Sequence, residues 1–202
     1  APSLVGSEMC IRDRNNQDVN SVLNLKDKNG ILLMEKYKDF QKTKVMKLKI
    51  DEFKKKGFNK IVLSGHSAGA YSSFILKSNF PKIINGVISL HIGFGGKFAK
   101  AKNPDQGWIN WREYKKSLIN WSQTGEVILF THDKDWADTR KTLSFMKEFK
   151  NIKFFDLSDT HCKNKKLLGD YHGIALTKCF ADEDPSCLLY TSDAADEHGC
   201  GD

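Results

Sequence analysis

The feature that most constrains the fold is an apolar run that leads directly into a serine flanked by glycines, Ile61-Val-Leu-Ser-Gly-His-Ser-Ala-Gly-Ala70. The run Lys60–Ser64 is short and mostly apolar, which predicts a buried parallel strand. Residues 70–77 predict a helix. Gly65 and Gly69 leave room for the sharp turn that must join the two. The sequence therefore predicts a strand–turn–helix unit with Ser67 at the turn.

Strand and helix signals alternate along the rest of the chain. Strands are predicted over 83–90, 126–131 and 152–157, and helices over 31–56, 108–120 and 136–150, with a short helix after Gly173. Gly57 ends the first of these helices, as glycine commonly does. Continuous apolar strands separated by helices predict an α/β fold with a doubly wound, mostly parallel sheet.

A serine at such a turn has a chemical consequence as well. The turn lifts its hydroxyl above the sheet, and the helix that follows directs unpaired N–H groups at the same place. Ser67 is therefore the candidate nucleophile. The backbone N–H of Ala68 is the candidate donor to an oxyanion that forms on the substrate.

The elbow and the order of elements from about residue 31 to 180 resemble the α/β-hydrolase superfamily. The run Gly65–Ala70, with the glycine-rich Gly93-Phe-Gly-Gly96 after the next strand, is similar to its dienelactone-hydrolase-like members. The resemblance implies a Ser–Asp/Glu–His triad in that chain order, with neither a metal nor an organic cofactor. It also implies that strands before the elbow strand, and the loop that donates the second oxyanion N–H, are missing from this chain.

The acid is expected just after the strand 126–131, where Asp133 and Asp135 are the candidates. The resemblance favours Asp135, because members of the superfamily carry the acid about four residues past the strand. A buried carboxylate there would hold the histidine in its working tautomer. Asp133 is kept as the alternative, and either residue could instead cap the helix predicted from Trp136.

The general base is expected after the last strand, where His161 and His172 are the candidates. His161 has the short spacing from the strand that many members of the fold use. His172 is favoured because Gly169 and Gly173 flank it and an apolar helix start follows, which resembles the dienelactone-hydrolase-like pattern more closely. The other histidines near the site, His66, His91 and His132, are interpreted as packing or pocket residues.

These residues predict a serine hydrolase that cleaves carboxylic esters or related acyl compounds through an acyl-enzyme. The expected partner is a small-molecule ester or acyl substrate, and the sequence does not indicate an oligomeric state. Two alternatives stay open: a non-catalytic relative that binds a partner, and a peptidase or acyltransferase that uses the same triad.

The positive charge of the chain suggests nucleic-acid binding as a second class of function, which other features of the sequence disfavour. Its formal net charge is +7, with 32 lysines and arginines. The lysines are scattered along helical stretches without an arginine cluster or an aromatic platform, so we do not expect nucleic-acid binding. The apolar runs are too short to predict a membrane span.

Cys162 and Cys179 bracket His172 and match no zinc-binding pattern. They could form a disulfide that closes the histidine loop, which would place the protein in the periplasm or outside the cell. Two free thiols would instead fit the cytoplasm.

Both ends of the chain look foreign to the rest. Leu4–Arg14 and Cys187–Glu197 resemble translated sequencing adapters, as found at the ends of metagenomic fragments. We therefore expect residues 15–186 to be an N-terminally truncated catalytic domain whose fragment could be inactive. Residues 1–14 and 187–202 are expected to be adapter-like tails with few contacts to the core.

Overall fold

The computed structural model describes residues 3–6, 38–95, 106–158, 171–177 and 180. Within them, five strands form one sheet in the order β1-β2-β3-β4-β5, and every neighbouring pair is parallel. The strands are β1 (Ser3–Gly6), β2 (Ile61–Ser67), β3 (Gly86–Ile92), β4 (Glu126–Thr131) and β5 (Ile152–Asp156). The predicted α/β fold with a parallel sheet is confirmed.

Within the described residues, three α-helices and three short 3₁₀ helices lie between these strands or after the last of them. The α-helices are α1 (Lys38–Lys55), α2 (Ala68–Asn79) and α3 (Gln106–Ser117). The 3₁₀ helices are Trp121–Gln123, Ser144–Glu148 and Ile174–Leu176. No helix in the described part of the chain is both long and apolar enough to cross a membrane.

Helix α2 is the centre of the core and is buried along most of its length. Its apolar side chains pack between the sheet and α1, where Phe40 meets the ring of Tyr71 edge-on at 6.0 Å. Buried polar groups on such a helix need partners. Ser72 and Ser73 donate their hydroxyls to the carbonyls of Ala68 and Gly69, one turn earlier.

The opposite face of the sheet has a separate apolar cluster. Phe130 and Leu157 lie there with Ile174 and Ala175, and Phe180 packs against the ring of Phe130. The described residues after β5 are thus held against the sheet through apolar contacts. This packing brings residues 171–177 across the carboxyl ends of the strands.

The helix predicted over 136–150 is wrong. The chain forms turns after β4 and then the 3₁₀ helix Ser144–Glu148. Side-chain hydrogen bonds replace the helical ones. The backbone N–H of Thr139 donates to the hydroxyl of Thr142, and the backbone N–H of Thr142 donates to the hydroxyl of Thr139. Such local bonds compete with helix formation. Leu143 and Met146 are nevertheless buried in the core.

The expectation that residues 1–14 make few contacts with the core does not hold for Ser3–Gly6. These four residues form the edge strand β1, paired with β2 from Ile61 to Ser64. Backbone pairing with an open strand edge makes little demand on side-chain identity, which is why these four residues can adopt it. The second tail, 187–202, lies outside the described residues.

A buried ion pair ties α3 to the turns after β4. Arg112 Nη1 donates to Asp138 Oδ2 at 2.8 Å, and Arg112 Nη2 donates to Asp138 Oδ1. Asp138 also accepts from the backbone N–H of Phe94 at 3.2 Å and from Thr142 Oγ1 at 3.0 Å. Both charged side chains are almost fully buried, so each supplies the opposite charge that makes burial of the other tolerable.

We expect Asp138→Ala to lower the free energy of unfolding by about 3–5 kcal/mol, because it leaves the buried guanidinium of Arg112 without its carboxylate. Urea unfolding of both proteins measures this change. The matched control is Glu113→Ala, which removes the exposed pair with Lys116 and should cost less than about 1 kcal/mol. Equal effects from the two substitutions would contradict the structural role of the buried pair.

Candidate functional site

Ser67 lies at the junction of β2 and α2 in a strained conformation. Its φ is 55° and its ψ is −119°, a region that L-residues rarely adopt. Strain of this kind persists where the surrounding structure imposes it, and it is concentrated at functional sites. The predicted strand–turn–helix unit with Ser67 at its turn is confirmed.

Gly65 makes this turn possible. A Cβ atom at Gly65 would lie 2.4 Å from the carbonyl carbon of Gly69 and 2.6 Å from the nitrogen of Ala70. The backbone of β2 and the start of α2 therefore approach too closely for any side chain at this position. The chain can reverse from strand to helix within two residues because Gly65 has none.

The loop after β3 passes directly over the serine. Gly93 donates its N–H to the carbonyl of Ser67 at 3.3 Å. A Cβ atom at Gly93 would lie 3.2 Å from Ser67 Oγ and 3.8 Å from His172 Cε1. The side chains of Ser67 and His172 thus converge on the same side of Gly93, and a side chain at this position would crowd both.

Asp135 lies buried in the turn that follows β4. Its backbone N–H donates to the carbonyl of His132 at 3.0 Å, which closes the turn, and its Oδ1 accepts from the N–H of Ala137 at 2.7 Å. The Nδ1 atom of His172 lies 2.9 Å from Oδ1 and 3.0 Å from Oδ2. The side chains of both residues are almost fully buried.

Two opposed effects set the protonation of Asp135. Burial raises the pKa of its carboxyl, whereas hydrogen bonds from His172, His91 and the N–H of Ala137 lower it. The hydrogen bonds prevail, and the pKa lies well below its ordinary value. Asp135 is therefore a carboxylate at neutral pH, and it can accept the Nδ1–H of His172.

His172 is fixed by contacts on its backbone and its ring. The Nε2 atom of His66 lies 2.6 Å from the carbonyl oxygen of His172, and since a carbonyl only accepts, His66 donates. The centroids of the His66 and His172 rings are 4.8 Å apart, and the centroid of the Trp136 ring lies 4.4 Å from that of the His172 ring. His66, interpreted from the sequence as a packing or pocket residue, thus anchors the segment that carries His172.

His132 shapes the turn from the other side. Its Nδ1 accepts from the N–H of Lys134 at 2.9 Å, and its ring packs against Tyr171 at 4.4 Å. Burial lowers the pKa of His132, and the nearby His91 adds to that effect. A neutral His132 suits this position, because Nδ1 can then accept the hydrogen bond that forms the turn.

His91 is a second histidine on Asp135, and sequence analysis did not assign it this contact. Its Nδ1 lies 3.1 Å from Asp135 Oδ2, with both side chains fully buried. One signal could have identified it: a histidine at the carboxyl end of a parallel strand, where sites collect in α/β folds. Strand alternation alone would not show which way its side chain points.

The structure places the other residues that were predicted from the sequence as follows. Asp133 is exposed, and its backbone N–H donates to Ser158 Oγ, so the structure does not bring its carboxylate to His172. Ala68 begins α2, where N–H groups have no partner within the helix. His161, Cys162 and Cys179 lie outside the described residues. In the described ranges no group of three or more potential ligands is placed to hold a metal ion.

No protein-family model matches the chain, and no curated protein sequence matches it. Among solved structures, Est1E from Butyrivibrio proteoclasticus, determined with ferulic acid bound, is 20% identical; the match covers 73% of this chain and 71% of that chain, with a TM-score of 0.46. A Rickettsia typhi protein described as a "Putative Hydrolase" is 15% identical, with coverage of 74% and 69% and a TM-score of 0.44. At these identities the similarity concerns the arrangement of the chain and not its chemistry.

The close approach at Gly65 predicts a large effect of one methyl group. We expect Gly65→Ala to destabilise the protein by about 1–3 kcal/mol, because β2 and α2 must move apart, and to lower the melting temperature by several degrees. Gly57→Ala is the control: Gly57 has a φ of 89° but no atom within 4 Å of its Cβ position. It should lower the melting temperature less, and the reverse order would contradict the steric role of Gly65.

The lowered pKa of Asp135 predicts a pH-dependent contribution to stability. Because the carboxyl has a lower pKa in the folded state, its ionised form stabilises the fold above the ordinary aspartate pKa of about 4. That contribution is lost as the pH falls through the folded-state pKa. We expect Asp135→Asn to reduce the free energy of unfolding at pH 7, and the deficit to shrink as the pH falls below about 4.

Urea unfolding at a series of pH values measures this dependence. Asp133→Asn is the matched control, since Asp133 is an exposed carboxylate two residues earlier in the same turn. It should leave stability nearly unchanged at every pH. A deficit of Asp135→Asn that stays constant down to pH 2 would show that the charge of Asp135 is not what stabilises the fold.

Proposed function

We propose that this protein is a serine hydrolase that cleaves carboxylic esters or related acyl compounds, with Ser67 as nucleophile, His172 as general base and Asp135 as the acid that orients it. One observation carries the proposal: Ser67, at a strained strand–helix turn, and His172, paired with a buried carboxylate, converge on Gly93. A nucleophile, a base and a group that orients the base are the parts that acyl transfer needs.

The proposed reaction begins with attack of Ser67 Oγ on the carbonyl carbon, while the serine proton passes to His172 Nε2. The oxygen that gains negative charge accepts a hydrogen bond from the N–H of Ala68. The tetrahedral intermediate then collapses, and the leaving alcohol takes the proton from His172. Water attacks the acyl-enzyme and gives its proton to the same nitrogen, which returns it to Ser67 as the acid product leaves.

Asp135 stabilises the imidazolium that forms twice in this cycle. The hydrogen bond at Nδ1 fixes the tautomer in which Nε2 is free to take a proton. The low pKa of Asp135 supports this role, because a carboxylate that stays ionised stabilises a neighbouring positive charge. The water-poor surroundings of the pair strengthen this interaction.

The test uses the 202-residue chain with a series of 4-nitrophenyl esters of increasing acyl length. We expect Ser67→Ala to lower turnover at least about a thousandfold, and Asp135→Asn to lower it between about a hundredfold and ten-thousandfold. Ser73→Ala, in the same helix with its hydroxyl bonded to Gly69, should keep wild-type activity.

A phosphonate probe that reacts with activated serines gives a second measurement on the same proteins. We expect mass spectrometry to place the covalent adduct on Ser67 in the wild type and to find none in Ser67→Ala. Labelling without ester turnover would point to an acyltransferase, a peptidase or a hydrolase of other acyl compounds. Absence of both labelling and turnover, or full activity of Ser67→Ala, would overturn the proposal.

A further inference from the structure

His91 occupies an irregular position in the sheet. Leu90 pairs with His66 and Ile92 pairs with Ser67, so His91 is an extra residue in β3 with no partner in β2. Its φ is 52°, a left-handed conformation that glycine or asparagine adopts more readily. A bulge of this kind turns the side chain away from the direction that strand alternation would give it.

The turned side chain meets Asp135 and makes no other hydrogen bond with the described residues. Its Nδ1 lies 3.1 Å from Asp135 Oδ2, while its Nε2 is buried without a hydrogen-bond partner in the described part of the chain. A carboxylate only accepts, so Nδ1 carries the proton and donates it to Oδ2. Within the described residues, the hydrogen bond to Asp135 is therefore the polar contact that this side chain makes.

The geometry of the carboxylate shows what this contact does. On Oδ1, Asp135 accepts from the N–H of Ala137 and from His172, whereas on Oδ2 it accepts from His172 and His91. Ala137 and His91 thus hold one oxygen each, on both sides of the shared contact with His172. Together they prevent the carboxylate from rotating about its last side-chain bond.

We propose that His91 is a positioning residue that donates Nδ1–H to Asp135 Oδ2 and thereby holds the carboxylate in the plane in which it orients His172. This inference rests on the proposed function of the Ser67–His172–Asp135 site. It gives a reason for a histidine in a left-handed bulge, because a residue without a side-chain donor would leave Oδ2 with one hydrogen bond fewer.

The test compares His91→Gly with His91→Asn. Glycine relieves the backbone strain, but it also removes a buried ring and leaves a cavity, so the free energy of unfolding should fall. Because the donor to Asp135 is lost, kcat should fall about tenfold while KM stays within about twofold. Asparagine tolerates positive φ and carries an amide nitrogen where His91 has Nδ1, so His91→Asn should recover most of that loss. Ser89→Ala is the control, since Ser89 is buried two residues earlier in β3.

Proton NMR detects the hydrogen bond between His172 and Asp135 without a measurement of turnover. The low-field resonance of the His172 Nδ1–H proton should be present in the wild type and in Ser89→Ala. It should broaden or shift in His91→Gly and return towards the wild-type position in His91→Asn. Because the resonance can be measured in a Ser67→Ala background, this result stands even if the chain hydrolyses no ester.

Three outcomes would overturn the inference. His91→Gly could keep both the wild-type kcat and the wild-type resonance, which would show that Asp135 is oriented without His91. His91→Asn could lose as much as His91→Gly, which would exclude the hydrogen-bond donor as the cause. A raised KM with unchanged kcat would instead make His91 a residue of the substrate pocket.

Discussion

The contact between the backbones of β2 and α2 at Gly65 and Gly69 is the constraint on which the site depends. With 2.4 Å between a would-be Cβ and the carbonyl carbon of Gly69, strand and helix meet without space for a side chain. The chain must then reverse at Ser67, and it does so at a positive φ. Because this strain is held by the packing of a buried helix against a central strand, the serine keeps its position independently of any ligand.

The other members of the site come from the carboxyl ends of neighbouring parallel strands. Ser67 ends β2, His91 is the last residue but one of β3, and Asp135 follows β4 by four residues. Parallel strands place these ends along one edge of the sheet, where ligands bind in open α/β folds. The segment 171–177 then brings His172 to this edge, held by Ile174 and Ala175 on the apolar face and by His66 at its backbone.

Local features of this molecule were predictable from the sequence, and features that depend on distant partners were not. The elbow was predictable because Gly65, Ser67 and Gly69 act within five residues, and the strands because their apolar runs are continuous. The turns that replace the helix expected over 136–150 are held by the hydrogen bonds between Thr139 and Thr142 and, at Asp138, by Arg112 from another element. The edge pairing of Ser3–Gly6 likewise depends on β2, which begins 58 residues after Ser3, at Ile61.

The two departures from regular backbone in the site are parts of one distortion. Among the described residues, Ser67 and His91 are the non-glycine residues with positive φ, and they lie on adjacent strands. The register of β2 with β3 shifts between His66 and Ser67, where β2 begins to turn into α2. The strand beside it can stay paired up to Ile92 because the extra residue, His91, takes up the shift. The turn that presents Ser67 therefore also rotates His91 towards the carboxylate of Asp135, so the geometry of the elbow and the orientation of Asp135 are set by the same pair of strands.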